Sequence, residues 1–276
     1  MAQNLTTSAI RAMKGKEKIS MLTAYDYTSA VLLDRAGVDM LLVGDSLGMV
    51  MLGRADTLSV TLDEMIMHTR SVMAGAERAM VVTDLPFMTY ERGVDSALAN
   101  AARLVQESGV RAVKLEGPHY AQVKALTGSG IPVVGHIGLT PQRAAEFGGF
   151  KVQGKTLEAA EELIEQAERL QEAGCFSIVI ECVPAALGEI ITRRLEIPII
   201  GIGAGPDCDG QVLVMHDMLG LFDRFVPKFV KRFAELGQAF QQAAGDYNTA
   251  VKNGEFPGPE HVFGMNEAEL QKLRGK

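Results

Sequence analysis

The feature that most constrains this chain is the alternation of short apolar runs with longer amphipathic stretches from one end to the other. The runs are KISMLTAYD (18–26), DMLLVGDS (39–46), RAMVVTDLP (78–86), RAVKLEG (111–117), IPVVGHIG (131–138), CFSIVIECVP (175–184), IPIIGIGAG (197–205) and GQVLVMHD (210–217). Between them lie segments with helical spacing of apolar residues, among them SAVLLDRAG, LDEMIMHTRSVMAGA, VDSALANAARLVQES and EAAEELIEQAERLQEAG. Near-continuous apolar strands separated by helices indicate a parallel sheet covered on its faces. Eight such units in 276 residues point to an α/β fold, a (β/α)8 barrel, with a doubly wound open sheet as the alternative. The eighth run is short and could belong to a helix. No composition shift divides the chain, so 1–276 reads as a single barrel domain. The stretch VPKFVKRFAELGQAFQQAAGDYNTAVKNG (226–254) reads as a terminal helix, followed by a tail that Pro257, Gly258 and Pro259 make irregular. Such a helix could dock on a neighbouring subunit or pack on its own barrel.

In a barrel of this kind the loops after the carboxyl ends of the strands converge on one mouth. Polar residues recur at those ends: Asp26, Asp45 with Ser46, Asp84, Lys114 with Glu116, His136, Glu181, and the GIGAG turn. Any one of them could begin a turn, as Asx side chains do, yet so many together are better explained by a shared site. Asp45, Asp84 and Glu116 are carboxylates on separate strands; without a cation they would repel one another and raise each other's pKa. Hard oxygen donors suit Mg²⁺, and no histidine pair has the spacing of a zinc helix motif. Lys114 and Glu116, two apart on one strand, share a face, which sets an ammonium beside the expected metal and suits it to a substrate carboxylate.

Glu181 follows the apolar run SIVI, a setting that tunes a carboxylate for general-base work; a strand-end pairing with an arginine is the structural alternative. His136 reads either as a hydrogen-bond partner behind the site or as a packed imidazole. His216 and Asp217 could orient a group at the eighth strand, with His216 more at home in a supporting role. His68 reads as a packing or surface residue of a helix, and His119 and His261 carry no assignment. GIGAG (201–205) could cradle a phosphate or leave room for substrate. The 14 methionines are scattered and read as packing.

The net charge of −7 argues against a nucleic-acid partner, and 47% hydrophobic residues with 22% charged ones exclude wholesale disorder. Three cysteines without a C-x-x-C spacing suit a reducing, cytoplasmic setting. No run approaches the roughly 20 apolar residues of a membrane span, and no signal peptide is visible.

The motifs TAYDY (23–27), VGDSLGMV (43–50), TDLPF (83–87), VKLEG (113–117), GHIGLTPQ (135–142), FGGFKVQG (147–154), ECVP (181–184) and GIGAG…DGQVLVMHD (201–217) run in an order that resembles the 3-methyl-2-oxobutanoate (ketopantoate) hydroxymethyltransferase family. The likeness extends from about residue 5 to 263. It implies a TIM barrel of the phosphoenolpyruvate mutase/isocitrate lyase-like group and a homo-oligomer, commonly a homodecamer. It implies Mg²⁺ ligands at Asp45 and Asp84, a metal-site carboxylate at Glu116, and a general base at Glu181. Substrate contacts fall on Asp45, Ser46, Asp84 and Lys114, of which Ser46 and Lys114 meet the substrate carboxylate. The implied reaction joins 3-methyl-2-oxobutanoate to the one-carbon unit of 5,10-methylenetetrahydrofolate through a Mg²⁺-stabilised enolate, giving 2-dehydropantoate for pantothenate biosynthesis. The chain departs from the family pattern at Pro118, where a second glycine is usual, and at Pro206, Asp207 and Cys208. Pro118 stiffens the loop that follows the metal-site strand.

Three rivals remain at this level. A carbon–carbon lyase or mutase of the related barrel group would use similar Mg²⁺ chemistry, although the chain lacks a reactive-cysteine motif. A phosphate- or flavin-binding barrel would use GIGAG and need no carboxylate cluster. A non-catalytic assembly protein would need none of these residues.

Overall fold

The protein is described here by a computed structural model covering residues 5–143, 151–224 and 226–275. Eight parallel strands close into a barrel in sequence order. They are β1 (Ile19–Thr23), β2 (Met40–Val43), β3 (Met80–Asp84), β4 (Ala112–Glu116), β5 (Val133–Gly138), β6 (Ser177–Glu181), β7 (Ile199–Ile202) and β8 (Gly210–Leu213). Closure through the β1–β8 pairing, Ile19 beside Gly210, leaves no sheet edge and decides against the open sheet. Every apolar run expected as a strand contains one. The eighth is divided: its first half is β8, and the rest turns into the short helix Met215–Met218.

Strand periodicity sorts the side chains into two cores. Ile19, Met21, Met40, Leu42, Met80, Val82, Ala112, Val134, Val179, Ile200 and Val212 form a buried cluster inside the barrel. The residues between them, such as Leu41, Val43, Val81, Val113, Leu115, Ile178 and Ile180, pack instead against the surrounding helices. Ile10, fully buried on the helix Thr7–Met13, belongs to the interior cluster. That helix starts where the Thr6 side chain accepts the Ala9 amide.

The helical stretches behave as their caps and periods dictate. Leu62–Gly75 opens with a capping box between Thr61 and Glu64, and Val94–Ser108 ends on Gly109 in the left-handed region at φ +80°. No helix among the described residues is long and apolar enough to cross a membrane.

The C-terminal region departs from expectation. Helix begins only at Leu236 and runs to Asn253, while the described residues between 226 and 235 are not helical. Tertiary contacts hold that segment: Phe229 packs against the barrel-interior cluster, and the Phe233 amide donates to the Met218 carbonyl. The tail beyond Pro259 is not wholly irregular either, since Glu267–Arg274 is helical, capped by Asn266.

Candidate active site

The interior of the barrel changes character along its length. Going up each strand with the same inward parity, Met80 and Val82 are followed by Asp84, Ala112 by Lys114 and Glu116, Val134 by His136, and Val179 by Glu181. The parallel register then sets Asp84 beside Lys114 and Glu116 beside His136 on neighbouring strands. Strand alternation and register thus gather most of the expected site residues at one height.

Within this group Lys114 Nζ stands 2.6 Å from Asp84 Oδ1 and 3.8 Å from Glu116 Oε1, and all three residues are almost fully buried. The Asp84 contact is a short, buried ion pair. Asp45 lies just beyond β2, and its amide donates to Asp84 Oδ2 at 3.2 Å. His136 bridges two acids, with Nδ1 3.3 Å from Glu116 Oε1 and Nε2 3.4 Å from Glu181 Oε2. It is therefore a partner of the site acids rather than a packed imidazole. Among the described residues the partner found for Glu181 is this histidine. Ser46 Oγ shares a 2.8 Å hydrogen bond with the Tyr25 hydroxyl.

The electrostatics follow from burial and crowding. Burial and the nearby Asp84 and Glu116 charges hold Asp45 well above the usual carboxylate range. Burial also raises Asp84, with Lys114 opposing it and Glu116 adding to it. For Glu116 the burial penalty is outweighed by His136 and Lys114, and its pKa is lowered. Burial and Lys114 would depress His136, but the flanking Glu116 and Glu181 push it up to about 9. Lys114 is likewise opposed by burial yet raised by Asp84, Glu116 and Asp45. Carboxylates outnumber cations here even with His136 protonated. The excess negative charge in a buried site fits a hard divalent cation.

Among the described residues no three histidine, cysteine or acidic side chains converge into a ready-made metal cage. The donor set is instead suited to an ion that keeps open positions. Asp45 has one oxygen taken by Gln142, Asp84 meets Lys114 through Oδ1 and the Asp45 amide through Oδ2, and Glu116 is tied to the Gln142 amide at 3.0 Å. Mg²⁺, which retains water and substrate in its shell, matches such a set.

Gln142 is a residue to which the sequence reading assigned no role. It sits in the turn Pro141–Arg143, is 3% exposed, and donates from Nε2 to Asp45 Oδ2 at 2.8 Å and to the Leu85 carbonyl at 3.1 Å. Its Oε1 lies 2.5 Å from the Tyr90 hydroxyl, which in turn accepts the Glu116 amide. A single glutamine thereby ties two site acids, Asp45 and Glu116, to each other and to their supports. Its only sequence signal was membership of the GHIGLTPQ motif.

Other expectations resolve differently. Asp26 caps the helix Tyr27–Arg35 through the Ser29 amide, so it takes the turn-forming role and does not join the site. His68 is buried, with Nδ1 2.6 Å from the Tyr25 carbonyl oxygen. The His216 ring packs on Tyr25 at 5.4 Å, while Asp217 faces the mouth. The GIGAG glycines are packed closely by protein on their Cβ side: a Cβ on Gly203 would come within 2.7 Å of the Phe229 ring, and one on Gly205 within 2.6 Å of Ala185. Pro118 lines a second cavity of about 230 Å³, with Gly117, Ile137 and Gly138, and not the mouth cavity. Residues 147–150 of the FGGFKVQG motif lie outside the described residues.

The mouth cavity has a volume of about 320 Å³. Asp45, Ser46, Asp84, Lys114, Glu116, His136 and Glu181 line its polar part, and Val179, Ile202, Val212, Phe222 and Phe229 are among its apolar walls. Cys182 also lines it, in a left-handed backbone conformation at φ +50°, and burial pushes its thiol up to about 12. All three cysteines are free, and burial raises each thiol, so none is poised as a thiolate.

A closed parallel barrel with acids, a lysine and a histidine gathered at the carboxyl ends of its strands defines an enzyme of the (β/α)8 class. Solved structures share the architecture: phosphoenolpyruvate phosphomutase from Streptomyces platensis subsp. rosaceus (TM-score 0.59, 15% identity, covering 98% of this chain and 96% of that one) and 2,3-dimethylmalate lyase, a PEP mutase/isocitrate lyase superfamily member (TM-score 0.57, 16% identity, 98% of each). At such identities the likeness is one of fold. A family model described as ketopantoate hydroxymethyltransferase matches residues 4–259, and the chain belongs to that family. Among its relatives, the 3-methyl-2-oxobutanoate hydroxymethyltransferase of Nitratidesulfovibrio vulgaris is 61% identical over 97% of this chain and 88% of its own length. That of Syntrophobacter fumaroxidans is 57% identical over 100% and 98%.

Proposed function

We propose that the chain transfers the one-carbon unit of 5,10-methylenetetrahydrofolate to 3-methyl-2-oxobutanoate as a hydroxymethyl group, with water supplying the hydroxyl oxygen and tetrahydrofolate released, giving 2-dehydropantoate for pantothenate biosynthesis. The observation that carries the reading is the buried Asp45–Asp84–Lys114–Glu116–His136–Glu181 group at the mouth of the barrel, in a chain that matches this family over nearly its whole length.

Asp45, Asp84 and Glu116 are the residues that would hold Mg²⁺, which when bound supplies a Lewis acid to the 2-oxo group of the substrate. Lys114 and Ser46 bind the substrate carboxylate, with Lys114 acting as a point charge held in place by its acidic neighbours. Val179, Ile202 and Val212 give the branched alkyl end an apolar surface. Glu181 removes the proton from C3, and His136 behind it holds the carboxylate in position through Nε2. Gln142 keeps Asp45 and Glu116 apart and oriented, which limits the reorganisation needed at the moment of reaction.

The chain is further proposed to work as a cytoplasmic homo-oligomer, a homodecamer by family resemblance, with no nucleic-acid or membrane partner. Two observations support this. The helix Leu236–Asn253 buries no residue and exposes Phe240 and Tyr247, as a face awaiting another subunit would. The free cysteines suit a reducing compartment.

The test is deuterium exchange at C3 of 3-methyl-2-oxobutanoate, followed by proton NMR, with and without Mg²⁺ and tetrahydrofolate. Exchange that requires Mg²⁺, together with 2-dehydropantoate formation once the one-carbon donor is added, is the expected result. No exchange and no product would overturn the reading.

A further inference from the structure

The mouth cavity is larger than a small keto acid needs, and its outer part has a chemistry of its own. The deep part holds the acids, Lys114 and His136. Beyond the carboxyl end of β8 the lining turns apolar, with Phe222, Pro227 and Phe229 on one segment and Met49 and Val50 on another. Set into this outer wall is one carboxylate, Asp217, on the short helix Met215–Met218. The residue is 9% exposed, and among the described residues its side chain has no hydrogen bond and no ion pair within 4.0 Å. Arg232 attracts it only from a distance, and burial pushes its pKa up to about 6. Lys228 lies exposed at the rim of the same cavity.

A carboxylate that faces a cavity with no protein donor takes its hydrogen bonds from what enters the cavity, so a ligand that displaces water there must supply donors of its own. Two oxygens side by side match a ligand bearing an amino group next to a ring N–H, the arrangement that makes guanidinium–carboxylate pairs bidentate. Flat apolar walls beside it match a heterocycle, and an ammonium at the rim matches an anionic tail. We propose that Asp217 binds the 2-amino and N3–H edge of the pterin ring of the one-carbon donor, with Phe222 and Phe229 against the ring and Lys228 near the glutamate end. This rests on the hydroxymethyl transfer proposed above and assigns the half of the cavity that the keto acid leaves free. Asp217 is thus a specificity-determining residue for the second substrate.

The assignment is tested by steady-state transfer with the parent, Asp217→Asn and Asp217→Ala, using 5,10-methylenetetrahydrofolate and its 2-desamino-2-methyl analogue as donors. Loss of charge-assisted hydrogen bonds predicts a donor KM raised roughly 10- to 100-fold in both variants, with the keto-acid KM moving less than about threefold. The parent should prefer the natural donor over the analogue by at least about tenfold, and Asp217→Ala should lose most of that preference. The parent's own discrimination gives a readout even if a variant folds poorly. An unchanged donor KM, or a parent indifferent to the 2-amino group, overturns the assignment while leaving the transfer reaction standing. A parent that forms no 2-dehydropantoate from the natural donor overturns both.

Discussion

The two ends of the barrel interior are built from the same strands yet obey opposite rules. Toward the amino ends, Ile10, Ile19, Met21, Met40 and Met80 fill the space with apolar side chains, each nearly or completely shielded from water. Toward the carboxyl ends the same inward positions carry Asp84, Lys114, Glu116, His136 and Glu181, equally hidden apart from Glu181. The lower end gains stability from burial, at about 25 cal/mol per Å² of apolar surface. The upper end gains little net stability, because the desolvation of its charges opposes their attraction. What it gains is a set of charged groups held ready for substrate and cation. Stability and chemistry are separated along the barrel axis by a step of about two residues on β3 to β6.

Substitutions that exchange the two behaviours test this division. The largest effect belongs to Glu181→Gln, which keeps shape and removes basicity. C3–H exchange should fall by roughly 10²–10⁴-fold. Thermal stability should barely change, because glutamine fills the same space as the 13% exposed glutamate side chain. A less stable protein with undiminished exchange per folded molecule would show that Glu181 is structural.

Lys114→Met comes next. It leaves Asp84, Glu116 and Asp45 without their buried cation, a situation that costs about 3–5 kcal/mol. The orphaned acids then have folded-state pKa values above their unfolded ones, so the lost stability should be partly recovered as pH falls and return as a deficit as pH rises. Denaturant melts at pH 5 and pH 8 without added metal measure it, and equal losses at both would contradict the charge argument. In activity assays the keto-acid KM should rise at least as clearly as kcat falls.

Ile10→Ala probes the opposite end. Truncating a fully buried interior residue should cost about 2–4 kcal/mol. Well below the melting temperature, kcat/KM should stay within about twofold of the parent. A large catalytic defect in folded protein would mean that the two ends are not independent.

The smallest effect concerns Asp217. Its folded pKa, pushed up to about 6 by burial, lies above the ordinary aspartate value, so the ionised group destabilises the fold above that pH. Asp217→Asn should therefore be more stable than the parent by about 1–2 kcal/mol at pH 8, after allowance for partial solvation. The difference should shrink as pH drops through 6 toward 4. A variant no more stable at pH 8 would show that the carboxylate is better partnered than the structure indicates.

Much of this was legible in the sequence. Apolar runs in alternation with helical periods announced the barrel, and the two-residue spacing of Lys114 and Glu116 announced their common inward face. Where the reading fell short, long-range contacts intervened. Asp26 and Asp84 look alike as strand-end aspartates, but Asp26 has a free helix amide three residues on, and Asp84 has Lys114 beside it on the next strand. GIGAG resembled an open turn until Phe229 and Ala185, brought from distant parts of the chain, were found against its glycines. Helical periodicity across 226–235 was overridden because Phe229 gains more by burial at the barrel mouth than by continuing a helix.

By itself, then, the sequence determined the order of the elements, their assembly as a parallel barrel, and the parity that points Asp84, Lys114, Glu116, His136 and Glu181 inward. Those properties depend on spacings of two to four residues, which every segment carries locally. Only the tertiary structure decided that Gln142 would tie Asp45 to Glu116, that His136 would stand between Glu116 and Glu181, and that Asp217 would face the cavity with no hydrogen-bond partner among the described residues. These are meetings of side chains from separate strands and loops. Their energies exist only after the barrel closes and water leaves its mouth, so no local pattern announces them.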